Sequence, residues 1–319
     1  MYTHTPVLLN ESLNYLGPRD KNSLMIDANT GEGGHSYHFL SNFPELNMVC
    51  IDADKKILGI ARKRLEKYAN RVQFYEGWSQ DFFEGYSSMK MKQPDRIFFD
   101  LGVSLYHYKE STRGFSFEKD EYLDMRIDTS QGNTAAELLA KLSEKELADL
   151  IFNNAQERYS RRIAARIVNE RKTSPITTTK ALASLVEKAV PAAYRHGSIH
   201  AATRTFQAFR IAVNGELSKL SGLLEAALRV LEPGGRLGVI SFHSLEDRIV
   251  KNFFRTMNKN CICPENAPMC KCEGRRSVDI LTKKGVTAGN EEIERNPPSR
   301  SARLRVVEKV LSRMAKDEQ

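Results

Sequence analysis

The hydrophobic and polar positions of this chain change period twice. Near the start, short apolar runs alternate with helical spacings. Leu24-Met25-Ile26 stops at Asp27, and Met48-Val49-Cys50-Ile51 stops at Asp52. Val72 to Tyr75 and Arg96 to Phe99 follow, the latter stopping at Asp100. Runs this short, bounded by polar and glycine residues, predict strands. Between them, residues 35–42 and 55–68 read as helices, the second carrying Ile57, Leu58, Ala61, Leu65 and Tyr68 at helical spacing. Residues 1–23 read as a lead-in. From about 105 to 204 the strand signal disappears. Ser143 and Glu146 are spaced as a capping box, and helices fit 156–172 and 180–190, each ending near a proline. Alternation then resumes with a long helix over 202–231, interruptible at Gly215 and Gly222. A turn follows at Glu232-Pro233-Gly234-Gly235, then a strand over 236–242, and a helix for which Ser244 and Asp247 are spaced as a cap. Residues 258–300 read as loop, and 302–307 as a closing strand. No internal repeat is present.

Alternating strands and helices predict an α/β fold with a mostly parallel sheet covered on both faces. The interruption predicts an inserted all-helical block. The expected division is 1–104 with 205–319 as one discontinuous domain and 105–204 as the insertion.

The chemistry gathers at the predicted strand ends. Gly31, Gly33 and Gly34 follow the first strand and precede a helix, where small residues permit close backbone approach and the helix N-terminus favours an anion. Asp52 lies about 20 residues beyond the first glycine, where such folds place a carboxylate on a ribose. The spacing is G-x-G-G rather than G-x-G-x-x-G, which favours S-adenosylmethionine over a dinucleotide; a plain strand–helix connection is the alternative. Asp100 ends the fourth strand on the same side of the sheet and is the residue to orient an amine; capping a loop is its alternative.

Other groupings bear on partners. Along 200–217, Phe206, Phe209, Val213 and Leu217 form a core stripe beside a polar one of Thr203, Gln207, Arg210 and Asn214. That polar stripe either lines a substrate cleft or braces the inserted block. Arg158, Arg162 and Arg166 recur every fourth residue, with Arg161, Arg171 and Lys172 nearby, and Arg295, Arg300, Arg303 and Arg305 form a second basic set. Such rows can neutralise phosphates or merely be solvated. Cys261, Cys263, Cys270 and Cys272 could hold zinc, although C-x-C is tighter than the usual spacing; free thiols are the alternative. Cys50 belongs to a strand and is expected in the core.

Composition sharpens this only in part. The 319 residues are 41% hydrophobic with a net charge of +8 and a pI near 9.1, which suits an anionic partner. No secretory leader and no apolar run approaching the roughly 18 residues of a membrane span is visible. Five cysteines, four of them clustered, do not resemble a secreted disulfide framework. A cytoplasmic protein, with no membrane partner, is the expectation. The oligomeric state, a homodimer among the options, stays open.

Longer stretches then carry a resemblance. They are His4 to Leu9, Gly31-Glu-Gly-Gly-His-Ser36, Arg113 to Phe117, Leu123 to Arg126, Ala202 to Ala208, Ser241 to Lys251, and Ser299 to Arg305. In these the chain resembles the ribosomal small-subunit RNA cytosine-N4 methyltransferases, the RsmH (MraW) family. The resemblance implies a class I methyltransferase sheet (Rossmann-like) interrupted by a helical substrate domain. It implies S-adenosyl-L-methionine as donor and a cytidine in the decoding region of 16S rRNA, within the small ribosomal subunit, as acceptor. The cofactor residues it implies fall on Gly33, Gly34, His35, Asp52, Trp78, Asp100 and His107, with Trp78, where the family has phenylalanine, near the adenine. The chain departs from the family in Leu105-Tyr106-His107, where Ser-x-Gln is usual, and in Ala155-Gln156-Glu157, where Gly-Glu-Glu is usual. Both departures bear on the acceptor. The rival readings are a nucleotide-dependent oxidoreductase, which the glycine spacing disfavours, a non-catalytic RNA-binding relative, and a methyltransferase with a different acceptor.

Overall fold

The computed structural model describes residues 5–197, 199–260 and 276–310. They form two compact units, Met1–Gly102 with Lys219–Gln319, and Val103–Ser218. The first unit opens with α1 (Leu9–Leu16), a helix inside the stretch expected to be a lead-in. Its apolar face buries Leu16, with Leu8 just before it, each worth roughly 1.5–3 kcal/mol against exposure. Two turns are too short for periodicity to stand out in a sequence.

The alternating region then runs β1 (Leu24–Asp27), α2 (Gly34–Asn42), β2 (Asn47–Asp52), α3 (Lys55–Arg64), β3 (Val72–Glu76), α4 (Ser79–Glu84) and β4 (Arg96–Asp100). The helix expected over 55–68 stops at Arg64, and a looser 3₁₀ segment continues to Arg71. Asp54 caps α3 by accepting the amides of Lys56 and Ile57.

The second unit comprises α5 (Leu105–Lys109), α6 (Ala135–Lys141), α7 (Glu144–Ala155), α8 (Ser160–Glu170), α9 (Thr179–Ala189), α10 (Ala192–Arg195) and α11 (Thr203–Asn214). Its extended pairing, among the described residues, is an isolated bridge from Tyr122 to Thr178. The Ser143–Glu146 capping box forms as expected, and Thr134 with Glu137 makes a second one on α6. Leu147, Ile151, Ile163, Ile167, Leu182 and Phe209 build a separate core. Because α11 belongs whole to this unit, the compact unit extends to Ser218 rather than breaking at residue 204.

The chain returns to the first unit through α12 (Glu216–Val230), then β5 (Arg236–Ser241), α13 (Ser244–Met257), β6 (Val278–Ile280), α14 (Asn290–Arg295) and β7 (Arg303–Lys309). The long helix expected over 202–231 breaks at Gly215, which takes a left-handed φ of 66° as the C-cap of α11. Gly222 stays within α12. The segment read as loop contains β6 and α14, both too short and too charged to show a period. The cap of α13 is His243, reciprocated by Glu246, rather than Ser244 with Asp247.

The sheet order is β3-β2-β1-β4-β5-β7-β6. The first five strands are parallel, and β7 runs antiparallel to both β5 and β6. The order reverses between β1 and β4, so the carboxyl ends of those strands form the switch point at which open α/β sheets bind ligands. Among the described residues, no helix is long and apolar enough to cross a membrane.

Candidate active site

The expected turn leaves β1 at that switch point. Gly31 and Gly33 adopt φ of 55° and 76°, a region that glycine enters without strain. A Cβ on Gly33 would stand 3.3 Å from that of Ala61, so this glycine also lets the turn pack onto α3. Gly34 opens α2. Asp52 at the end of β2 ties the turn down: one carboxylate oxygen accepts the Gly31 amide at 2.9 Å and the other the Asp54 amide at 2.8 Å. The loop is knitted further by Ala28 N–H to Phe98 O and Thr30 N–H to Ile51 O, both 2.9 Å.

Asp100 stands across the switch at the end of β4. Its Oδ2 lies 3.3 Å from Nδ1 of His35, the second residue of α2. The other ring nitrogen, Nε2, is 2.9 Å from the Val7 carbonyl. A carbonyl only accepts, so Nε2 carries a proton. A neutral ring would then turn its Nδ1 lone pair toward a carboxylate, whereas an imidazolium donates to both partners. Burial pulls the pKa of His35 down, but the hydrogen bond and charge of Asp100, the charge of Asp27 and the Val7 carbonyl outweigh it and hold it above the ordinary value. Asp100 Oδ1 is buried and has no hydrogen-bond partner among the described residues.

Behind this pair stands Asp27, the last residue of β1 and fully buried. Ser36 donates to its Oδ2 at 2.5 Å, while Oδ1 has no partner among the described residues. Burial raises its pKa to about 6 against the opposing effects of Ser36 and His35. Cys50 lies beside Ser36 at 3.3 Å in the core, as its strand position predicts, and burial pushes its thiol up to about 12. Asp27 and the neighbouring Asn29, whose Oδ1 is also buried and without a partner among the described residues, are not among the expected site residues. The available signal was an acid ending an apolar strand directly before the glycines.

Trp78 follows β3 as the residue before α4, half-buried, with Lys219 Nζ 5.0 Å from its ring centroid. Gly31, Gly33, Gly34, His35, Asp52, Trp78 and Asp100 therefore all sit at or just beyond the carboxyl ends of β1 to β4. His107 belongs to the second unit, where it is buried with its ring 4.9 Å from that of Phe115.

Other expected groupings divide. In the second basic set, Arg305 is buried and pairs with Asp247 through contacts of 2.6 and 3.1 Å, so it is a core ion pair rather than a phosphate ligand. Arg303 donates to the Lys284 carbonyl. Two members of the polar stripe of α11 brace their own unit: Asn214 accepts the Ile127 amide and donates to Met125 O, both at 2.8 Å, and Arg210 grips Glu216 at 2.8 and 3.0 Å. Phe206 and Phe209 are buried as expected, while Val213 and Leu217 are half-buried. Cys261, Cys263, Cys270 and Cys272 lie outside the described residues.

These residues suit a nucleoside cofactor with an amino-acid end. They offer a glycine turn that admits a close ligand, a fixed carboxylate at β2, an aromatic residue after β3 and buried acceptor oxygens on Asn29 and Asp100. Comparison with known proteins points the same way. Residues 1–310 match the model of the MraW methylase family. A protein named ribosomal RNA small subunit methyltransferase H from Treponema denticola is 53% identical over 96% of this chain and 97% of its own. Its namesake from Caldicellulosiruptor saccharolyticus is 44% identical over 97% of this chain and all of its own. Among solved structures, a putative rRNA methylase from Clostridium thermocellum aligns over 97% of this chain and all of its own at 11% identity and a TM-score of 0.41; at that level it adds nothing to the assignment. With a whole-length family match and relatives this similar, the chain belongs to the MraW methylase family.

Proposed function

We propose that the chain transfers a methyl group from S-adenosyl-L-methionine to N4 of a cytidine in the decoding region of 16S rRNA. The observation that carries the reading is Asp100: its Oδ2 is engaged by His35, and its Oδ1 is a buried acceptor without a partner, at the switch point of a methylase sheet. The names of the relatives support small-subunit rRNA as substrate. The helical unit is the substrate-recognition part on this reading.

When bound, the cofactor would supply an electrophilic methyl on a sulfonium; transfer leaves a neutral thioether, and the accepting amine gives up one proton through its hydrogen bond to Asp100. Asp52, fixed by two amides, accepts from the ribose. Gly33 and Gly34 admit the amino-acid end, with Asn29 as an acceptor for its ammonium, and Trp78 offers its ring to the adenine. Asp100 would accept an N–H of the cytosine amine through Oδ1 and so fix the orientation of that nitrogen. A cytosine amine is delocalised into its ring, so orientation and removal from water are what the protein must supply. The target base has to leave any stack to reach the site.

The test is incubation of the purified chain with small subunits from a deletion strain and methyl-labelled S-adenosylmethionine, followed by nucleoside mass spectrometry. Label is expected in N4-methylcytidine of 16S rRNA. Label in another nucleoside, or none, contradicts the reading.

A further inference from the structure

Helix α8 buries Ser160, Ile163, Ala164 and Ile167 on one face. Arg161, Arg162 and Arg166 stand exposed on the other, preceded by exposed Arg158. The apolar stripe fixes the helix, so the basic face is fixed too. Nearby carboxylates are occupied elsewhere: Glu146 closes the capping box of α7, and Asp149 pairs with Lys145 at 2.7 Å. Among the described residues, none of these four arginines forms an ion pair.

A solvated charge row would end the matter there, but one end of the row is built. Glu157 is fully buried, and one of its oxygens accepts the Tyr159 amide at 2.8 Å. The other accepts the Tyr194 hydroxyl at 2.6 Å. The two tyrosine rings meet edge to face, 5.0 Å apart. The Arg158 guanidinium lies 4.8 Å from the centroid of one and 4.9 Å from that of the other. Arg162 reaches the Tyr159 ring at 5.9 Å, and the charge of Arg204 acts on Tyr194. A buried carboxylate thus holds two half-buried aromatic rings in place, with the exposed Arg158 guanidinium over them.

We propose that this face of the helical unit is an RNA-binding platform: an unpaired base stacks on the Arg158–Tyr159–Tyr194 layer while Arg162 and Arg166 neutralise the flanking phosphates. This rests on the reading that rRNA is the substrate. Arg162 and Arg166 are four residues apart on one helix face, about 6 Å along the axis, so they can serve successive positions of one strand. An aromatic layer capped by guanidinium is what single strands use and duplexes cannot reach. An acidic protein would need the charges but not the layer.

Equilibrium binding of the full chain to a fluorescent single-stranded oligoribonucleotide, and to an RNA duplex of equal length, tests this across a salt series. Two variants are compared, Arg158→Lys and the double Arg162→Gln with Arg166→Gln, both checked for an unchanged melting midpoint. Arg158→Lys keeps the charge and loses the plane. It is expected to weaken single-strand binding about 5- to 100-fold, the range of one lost base stack, with the salt slope and duplex binding unchanged. The double variant is expected to lower the slope of log K against log salt by about 1.4, roughly 0.7 per phosphate on single strands. Wild-type affinity in Arg158→Lys, or equal losses on strand and duplex, overturns the stacking layer. An unchanged slope in the double variant overturns the phosphate contacts. Unchanged RNA binding with lost affinity for whole small subunits assigns the face to an acidic ribosomal protein and overturns the proposal. If the wild-type chain fails to methylate small subunits, the rRNA reading falls separately, and the oligonucleotide arms still decide the platform.

Discussion

In the sheet-bearing unit, Asp27 and His35 are withdrawn from water and feel the charge of Asp100, which His35 meets at 3.3 Å; in the helical unit, Arg161, Arg162 and Arg166 stand in it. The same elementary charges do different work in the two settings. Burial makes each group in the first unit depend on the protonation of its neighbours and hardly on salt. Exposure makes the arginines permanent, screened charges whose effect lies in their number and spacing. The first arrangement suits orienting one amine, and the second suits gripping a long polyanion. The contrast can be broken at several points.

Asp100→Ala is expected to have the largest effect. It removes the buried acceptor and leaves the His35 charge unpaired, so turnover on small subunits should fall by roughly 10²–10⁴-fold while far-UV circular dichroism is unchanged. Turnover within threefold of wild type would remove Asp100 from the mechanism and leave it a structural partner of His35.

Asp27→Asn sharpens the claim that burial governs the first unit. The folded chain favours protonated Asp27, whose pKa is about 6 against an ordinary 3.8. Its contribution to stability is therefore full below pH 4 and lost as pH rises through 6. That amounts to about 3 kcal/mol at about 1.4 kcal/mol per unit. Urea unfolding of variant and wild type at pH 4.5 and 7 should show the variant gaining relative stability at the higher pH. A pH-independent difference would mean that Asp27 is not held against ionisation.

Asn214→Ala probes the polar bracing of the helical unit. It strands the Ile127 amide and the Met125 carbonyl, at a cost of about 1–3 kcal/mol, read as a lower melting midpoint. A midpoint equal to wild type would mean that these groups find other partners. The smallest effect is expected for His35→Gln, a loss of activity of about tenfold. Because the pKa of His35 is raised, the imidazolium–Asp100 pair is intact at low pH and lost as pH rises through that raised value. Wild-type activity should accordingly fall on the alkaline side, and the variant should lack that limb. An identical pH profile would place His35 outside the titrating pair.

The same contrast explains what could be read without coordinates. Gly31, Gly33, Asp52 and Asp100 declared themselves because each is local, a glycine after a strand or an acid ending one. The arginines of α8 did so because a helix spaces its own surface. Nothing local marks the His35–Asp100 pair or the Val7 carbonyl behind it; β4 must lie beside β1 before they meet. Arg305 misled for the same reason: alternation placed it in a charge row, but its side of β7 faces Asp247. Nothing local marks Glu157 as a support either; only the packing of Tyr194 beside Tyr159 makes it the anchor of a half-buried aromatic pair. Helices α1 and α14 and strand β6 escaped because they are too short for a period to emerge.

The most direct test of the central claim is nucleoside mass spectrometry of 16S rRNA from deletion cells carrying either the wild-type chain or Asp100→Ala at matched expression. The account predicts N4-methylcytidine restored by the wild type and absent with the variant; restoration to the same level by both, or by neither, would contradict it.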